Sequence, residues 1–327
     1  MENYISKKKV VILATGGTIA GKGERGKAAI YNPGSLSIDV LIEEIPEIED
    51  VAEIEAIQIC NVNSDDITDE IWFSLTNKIN ELSIDPSVSG FVVTHGTDTL
   101  EETAYFLNLT VKTNKPVVIT GSMRPASSFS ADGPMNLYEA VCVAASNKAI
   151  GCGVLVVFSD RIFSARSVAK TSTFRVDAIS GGPMSAIGMV RDGNVHLYET
   201  PTRCHTADTE FNILNLKALP KVSIIYYHIG ADLELLKFAA ANSDGIVIAG
   251  AGAGEFSKKF KDFIEKLTIP VVISSRIDGG IILMDNLLCK NTIAADNLSP
   301  QKAAILLRLA LTIRKSIDDI QKAFFIY

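Results

Sequence analysis

A chain of 327 residues with 47% hydrophobic and 21% charged residues is too long for one ordinary core and too apolar for disorder, so two domains or one large α/β domain with an appendage are expected. Lysine and arginine number 31 against 38 aspartates and glutamates, a net charge of −7, and the densest positive run is residues 7 to 9; nucleic acid is therefore not an expected partner. No stretch reaches the length of a bilayer span, so no membrane association is expected, and the five cysteines (Cys60, Cys142, Cys152, Cys204, Cys289) never form a CxxC pair, which argues against a disulfide scaffold or a structural zinc site.

In chain order, KVVILA (9–14) reads as a strand, preceded by a segment without the apolar stretch and small-residue site of a cleavable leader; a cytoplasmic location is expected. An apolar run ends near Cys60, a helical pattern covers 67–82, GFVVTHG (90–96) is a strand, and 99–111 is a helix opened by Thr99 and Glu102 as a capping box. Strands follow at 115–121 and 153–160 around a helix at 133–146. Between about 176 and 220 the helical period fails, and Gly-Gly-Pro and Asp-Gly-Asn turns suggest a β-rich finish and a connector. Strands return at 222–228, 245–250 and 270–275, and Ser299-Pro300 opens a helix to 313. Strands that are apolar on nearly every residue are covered on both faces, which predicts an α/β fold with a larger N-terminal, mostly parallel sheet domain flanked by helices and a smaller C-terminal α/β domain. The expected boundaries are 1–199, a linker over 200–220, and 221–327.

The glycine-rich VILATGGTIAGKGERG (11–26) contains GxxxxGK and, overlapping it, GxGxxG. Both phosphate-binding patterns need a helix to begin at the last glycines, whose amides hold the anion. Here KAAIYNPGS follows, broken by Pro33-Gly34, and the Ser or Thr that reaches a magnesium ion is replaced by Gly23. The glycines suit instead a mobile loop beside Thr18, a hydroxyl just past the first strand.

Ligands of open α/β sheets bind at the carboxyl ends of strands, where Thr18, Asn63-Ser64-Asp65-Asp66 and His95-Gly96-Thr97-Asp98 all fall. A hydroxyl becomes a nucleophile only when a base takes its proton, and without a suitable histidine the usual substitute is a lysine. Lys170, in SARSVAKTSTF, is expected in an irregular loop after strand 153–160.

ILATGGTIAG (12–21) and VTHGTDTLEETAYFL (93–107) closely resemble the two signatures of bacterial L-asparaginases, of type II-like sequence, in the asparaginase/glutaminase superfamily. GSMRPASSFSADGPMNLYEAV (121–141) resembles the next block of that family, and the likeness continues through HTADTEF (205–211) to SPQKAAILLRLALT (299–312). The resemblance implies hydrolysis of the side-chain amide of L-asparagine to L-aspartate and ammonia, with no metal or organic cofactor. It implies Thr18 as nucleophile, assisted by Tyr31 on the loop, and a second set of Thr97, Lys170 and Asp98; which threonine attacks first stays open. Ser64, Asp65, Thr97, Asp98 and Ser122 would bind substrate, and a homotetramer would let a neighbour complete each site. Three departures bear on substrate choice: Asp65 stands where a glutamine is usual, Ala253 replaces an asparagine in GAGAG, and SSRIDGGIILMDNLL is short, offering only Asp278 and Asp285. Asp65 either faces the substrate's α-ammonium or, with Asp66, caps the helix from Ile67. A glutaminase-asparaginase, an asparaginase-like amidotransferase subunit and a non-catalytic amino-acid-binding protein are the competing readings.

Overall fold

Aliphatic and β-branched runs form the central strands of the N-terminal part, whose strands are β1 (Lys9–Gly16), β2 (Lys22–Gly23), β3 (Tyr31–Asn32), β4 (Glu53–Val62), β5 (Val88–Thr94), β6 (Val117–Thr120), β7 (Val154–Phe158), β8 (Arg161–Ser164), β9 (Ala169–Lys170), β10 (Ile179–Ser180), β11 (Gly188–Arg191) and β12 (Asn194–Leu197). The helices there are α1 (Ile38–Glu43), α2 (Ile48–Val51), α3 (Asp69–Leu82), α4 (Leu100–Thr110) and α5 (Gly133–Ala144). This computed structural model describes residues 7–23, 31–32, 37–289, 291–314 and 316–327. It divides into two compact units, Met1–Thr209 and Glu210–Tyr327.

Among the described residues of the first unit, eight strands form one sheet in the order β12-β11-β8-β7-β6-β5-β1-β4. From β4 to β7 every pairing is parallel, while β8, β11 and β12 close the sheet as an antiparallel meander. Alternation along the strands sends Val10, Ile12 and Ala14 of β1 toward one face, where they meet Leu137, Ala140 and Val141 of α5 and the short helices α1 and α2. On the opposite face α4 lies against β6 and β7 and carries α3 outside it, the Trp72 ring stacked on Phe106 at 4.6 Å between centroids. Burial on both faces is why these strands read as continuous apolar runs in the sequence.

Two tight hairpins shape the far end of the sheet. Asp192 and Gly193, both at positive φ, join β11 to β12, the geometry expected of an Asp-Gly turn. Ser159 and Asp160, at φ 50° and 64°, join β7 to β8 in the same way although neither is glycine. The segment expected as one strand over 153–160 therefore ends at Phe158 and doubles back.

The second unit holds β13 (Val222–Tyr226), β14 (Gly245–Gly250), β15 (Val271–Ser275) and β16 (Ile293–Ala294), all parallel in that order. Helices α6 (Leu233–Asn242) and α7 (Lys258–Ile264) share a core with β14 and β15, while α8 (Pro300–Ile313) lies along β13, β14 and β15 and α9 (Ile317–Ile326) packs on α8 and β16. Pro300 does sit in the first turn of α8, where its missing N–H leaves no bond unmade. No helix among the described residues is long and apolar enough to cross a membrane.

Candidate active site

The two glycine-containing motifs meet at their backbones. A register shift between Ala14 and Gly16 ends the regular pairing of β1 with β4, and Thr15 Oγ1 donates to Thr94 O at 2.8 Å, tying the ends of β1 and β5 together. Gly17 follows at φ 80°, and a Cβ there would fall 2.4 Å from both Cα and N of Gly96. Gly96 in turn lies against Ser64, whose Cβ and Oγ would be 2.8 and 2.9 Å from an added Cβ. Three loops, from β1, β5 and β4, are thereby stacked with no side chain between the first two. Thr18, the next residue after Gly17, opens a single 3-10 turn and is 7% exposed.

Thr97 and Asp98 complete the β5 loop, and Lys170 reaches them from β9. Its Nζ donates to Thr97 Oγ1 at 2.9 Å and pairs with the Asp98 carboxylate. Lys170 is not in an irregular loop. Ile179 of β10 pairs opposite it, and the Lys170 N–H donates to the buried Glu101 Oε2 at 2.9 Å, which fixes the backbone from which the lysine side chain extends. The lysine is largely shielded while Asp98 is exposed, so one end of this triad faces solvent and the other the protein.

Ser64 is also more than a neighbour. Its Oγ accepts the Asp98 N–H at 3.2 Å, and its carbonyl accepts the Thr99 hydroxyl at 2.6 Å. The capping box expected of Thr99 and Glu102 is accordingly absent: α4 begins at Leu100 without a side-chain cap because the Thr99 hydroxyl bonds across to the β4 loop. Nor do Asp65 and Asp66 cap a helix. They lie exposed in a 3-10 turn from Ser64 to Asp66, and α3 starts at Asp69 after Thr68.

On the β6 side, Gly121 packs against the His95 carbonyl and within 3.5 Å of Thr97 Cγ2 when given a Cβ. Ser122 is fully buried and its hydroxyl donates to Arg124 O, so it shapes its own turn. That turn is held by Asp132, whose carboxylate accepts the N–H groups of Met123 and Arg124, each at 2.9 Å. Burial raises the Asp132 pKa while those N–H bonds pull it down. Asn136 adds a bond to Gly121 O at 2.9 Å from the first turn of α5. Neither Asp132 nor Asn136 stands out in the sequence, since one binds backbone N–H groups and the other a backbone carbonyl, and no residue pattern marks these.

Of the remaining expected residues, Tyr31 pairs through its backbone with Gly23, and its side chain lies outside the described residues, as does most of the loop expected to be mobile. Ala253 sits exposed in the second unit, in a tight turn between glycines 252 and 254, and Asp278 and Asp285 are exposed there too. Among the described residues no group of histidine, cysteine, aspartate or glutamate is arranged to hold a metal ion.

The fold and site define a two-unit α/β protein whose chemistry gathers at the carboxyl ends of adjacent parallel strands. The family model for the asparaginase N-terminal domain matches residues 9–203 and that for the glutaminase/asparaginase C-terminal domain matches residues 221–324; the chain belongs to the asparaginase family. It is 45% identical over 98% of its length to a probable periplasmic L-asparaginase of Haemophilus influenzae, covering 94% of that protein. A glutaminase-asparaginase of Acinetobacter glutaminasificans is 41% identical over 98% of the chain and 100% of its own. Among solved structures, a probable cytoplasmic L-asparaginase from Campylobacter jejuni superposes with a TM-score of 0.94 at 42% identity, with 98% of this chain and 100% of that one covered.

Proposed function

We propose that the protein is an L-asparagine amidohydrolase that uses Thr18 as nucleophile. The observation that carries this reading is the contact of Lys170 with both Thr97 and Asp98, set against the Thr18 loop by the Gly17–Gly96 packing. Thr18 Oγ adds to the side-chain amide carbon of L-asparagine, and its proton passes to the departing nitrogen. The C–N bond breaks, ammonia leaves, and an aspartyl ester on Thr18 remains. A water held by Thr97 then adds its oxygen to the ester carbon, its proton passes by way of Thr97 and Lys170 to the departing Thr18 oxygen, and L-aspartate is released. Asp98 keeps Lys170 aligned through their ion pair and offers its exposed carboxylate oxygens to the substrate's α-ammonium, alongside Ser64, while Ser122 holds the turn after β6. Tyr31 is assigned to assist Thr18, and Asp65 to the α-ammonium, since helix capping no longer accounts for it.

The names of the relatives support the same reading, and the Acinetobacter protein's name favours a second one, a glutaminase-asparaginase on the same residues. A homotetramer and a cytoplasmic location complete the proposal; five free cysteines, three of them buried, suit a reducing compartment. Ammonia release from L-asparagine and L-glutamine, measured side by side on wild type and Thr18→Ala, tests it. Release from L-asparagine by wild type and its loss in the variant are expected. A wild type that releases ammonia from neither substrate overturns the assignment.

A further inference from the structure

At the start of the Thr97 loop the His95 imidazole is completely buried with both nitrogens engaged. Nδ1 lies 2.7 Å from Gly96 O and Nε2 lies 2.9 Å from Thr103 Oγ1 on α4. Thr103 Oγ1 also accepts the Trp72 indole N–H from α3 at 2.8 Å. A carbonyl only accepts, so Nδ1 carries the proton and donates to Gly96 O; Nε2 of the neutral ring then accepts the Thr103 hydroxyl, which itself accepts the indole N–H. The Gly96 carbonyl thus selects the Nδ1–H tautomer, and burial keeps the imidazole neutral. Burial holds its pKa down at about 4, so it stays neutral throughout the physiological range.

The last link of this chain sits at the site itself. Gly96 O is drawn inward to His95, and in a planar trans peptide the following N–H points the opposite way, so the Thr97 amide faces away from the histidine. Gly17 and Ser64 hold Gly96 laterally, but neither bonds its carbonyl, and the tilt of the Gly96–Thr97 peptide is set by Nδ1–H.

We propose that Trp72, Thr103 and His95 form a positioning relay that fixes the Gly96–Thr97 peptide, and with it the direction of the Thr97 hydroxyl and amide toward the substrate's reacting carbonyl. None of the three touches substrate. This rests on the amidohydrolase reading, and it adds that turnover depends on a hydroxyl one helix removed from the site.

Thr103→Val removes the hydroxyl at nearly constant shape, and Thr103→Ser restores it. For ammonia release from L-asparagine, Thr103→Val lowers kcat about tenfold to a hundredfold with KM changed no more than about twofold, and Thr103→Ser recovers most of the loss. In parallel, 15N-labelled histidine reports the imidazole directly: His95 in wild type and Thr103→Ser shows the neutral Nδ1–H form without titration between about pH 5 and 8, and Thr103→Val alters that signature. A kcat for Thr103→Val within about twofold of wild type overturns the proposal, as do valine and serine variants impaired alike, or an Nε2–H imidazole in wild type. Should Thr103→Val fail to fold, Trp72→Phe removes only the indole donor and is expected to give the same kcat loss and a shifted His95 signal; unchanged values refute the relay. A wild type without amidase activity sinks the activity reading, whereas the imidazole signature judges the hydrogen-bond chain by itself.

Discussion

Glu139 offers a stability measurement whose size follows from the structure. It lies on α5 facing the Ser159–Asp160 turn, is 3% exposed, and its Oε2 accepts the Asp160 N–H at 3.2 Å. Burial first, then the hydrogen bond and negative charge of Asp160, push its pKa from 4.5 up to about 8. The folded chain therefore keeps a proton on Glu139 between about pH 4.5 and 8 that the unfolded chain has lost, so stability declines as pH rises through that window and is level above it. A displacement from 4.5 to about 8, at about 1.4 kcal/mol per pH unit, sets a ceiling of roughly 5 kcal/mol. Relaxation and water reaching the carboxylate reduce such figures, leaving roughly 2 kcal/mol as the working value. Glu139→Gln retains an acceptor for Asp160 N–H and carries no charge in either state. Urea unfolding of both proteins from about pH 5 to 8.5 is expected to show nearly equal stability at the acid end and an advantage of roughly 2 kcal/mol for the variant at the alkaline end. A difference between the two that does not change with pH would refute the reasoning, because only a group that titrates differently in the two states produces a slope.

The site supports three further expectations. Gly17→Ala must push the β1 and β5 loops apart at a contact of 2.4 Å while adopting a φ of 80°, so it is expected to lower both the unfolding midpoint and kcat; wild-type values for both would show that the loops yield. Lys170→Met keeps the length of the side chain but not its amine, and a fall in kcat of about a hundredfold or more with little change in KM is expected in ammonia-release kinetics, a fall under tenfold counting against a proton-transfer role. For Asp65→Asn the expected change lies in KM for L-asparagine, raised with kcat nearly kept, and an unchanged KM disposes of the proposed contact with the α-ammonium.

The parallel strands and their enclosing helices are legible because burial on two faces leaves an uninterrupted apolar run, and β1, β5, β14 and β15 read that way. Local rules failed where a distant partner intervened. Thr99 and Glu102 carry every mark of a capping box, but the Ser64 carbonyl, distant in sequence, offers the threonine hydroxyl a better acceptor. The β7–β8 hairpin leaves no mark in the sequence because its positive-φ positions are Ser159 and Asp160 instead of the Asn-Gly or Asp-Gly pair that announces such turns. Lys170 reads as a loop lysine because the two-residue pairing of β9 with β10 leaves no mark in the sequence, and family resemblance is what supports its role. The place of His95 is illegible for a related reason: nothing in HGTD reveals the indole and hydroxyl that the packing of α3 and α4 brings to its ring.

The sheet order has a kinetic consequence. Ser64, Thr18, Thr97 and Ser122 follow four neighbouring strands, β4, β1, β5 and β6, in spatial order, although the chain visits them as β1, β4, β5 and β6. Joining β1 to β5 closes a long loop, and parallel pairings of this kind carry an entropic cost that local helices do not. Helices can regain their circular dichroism early in refolding, while the Gly17–Gly96 contact waits for the central pairing of the sheet. Recovered amidase turnover should accordingly trail recovered helicity, which makes enzymatic activity a clock for the completion of strand order.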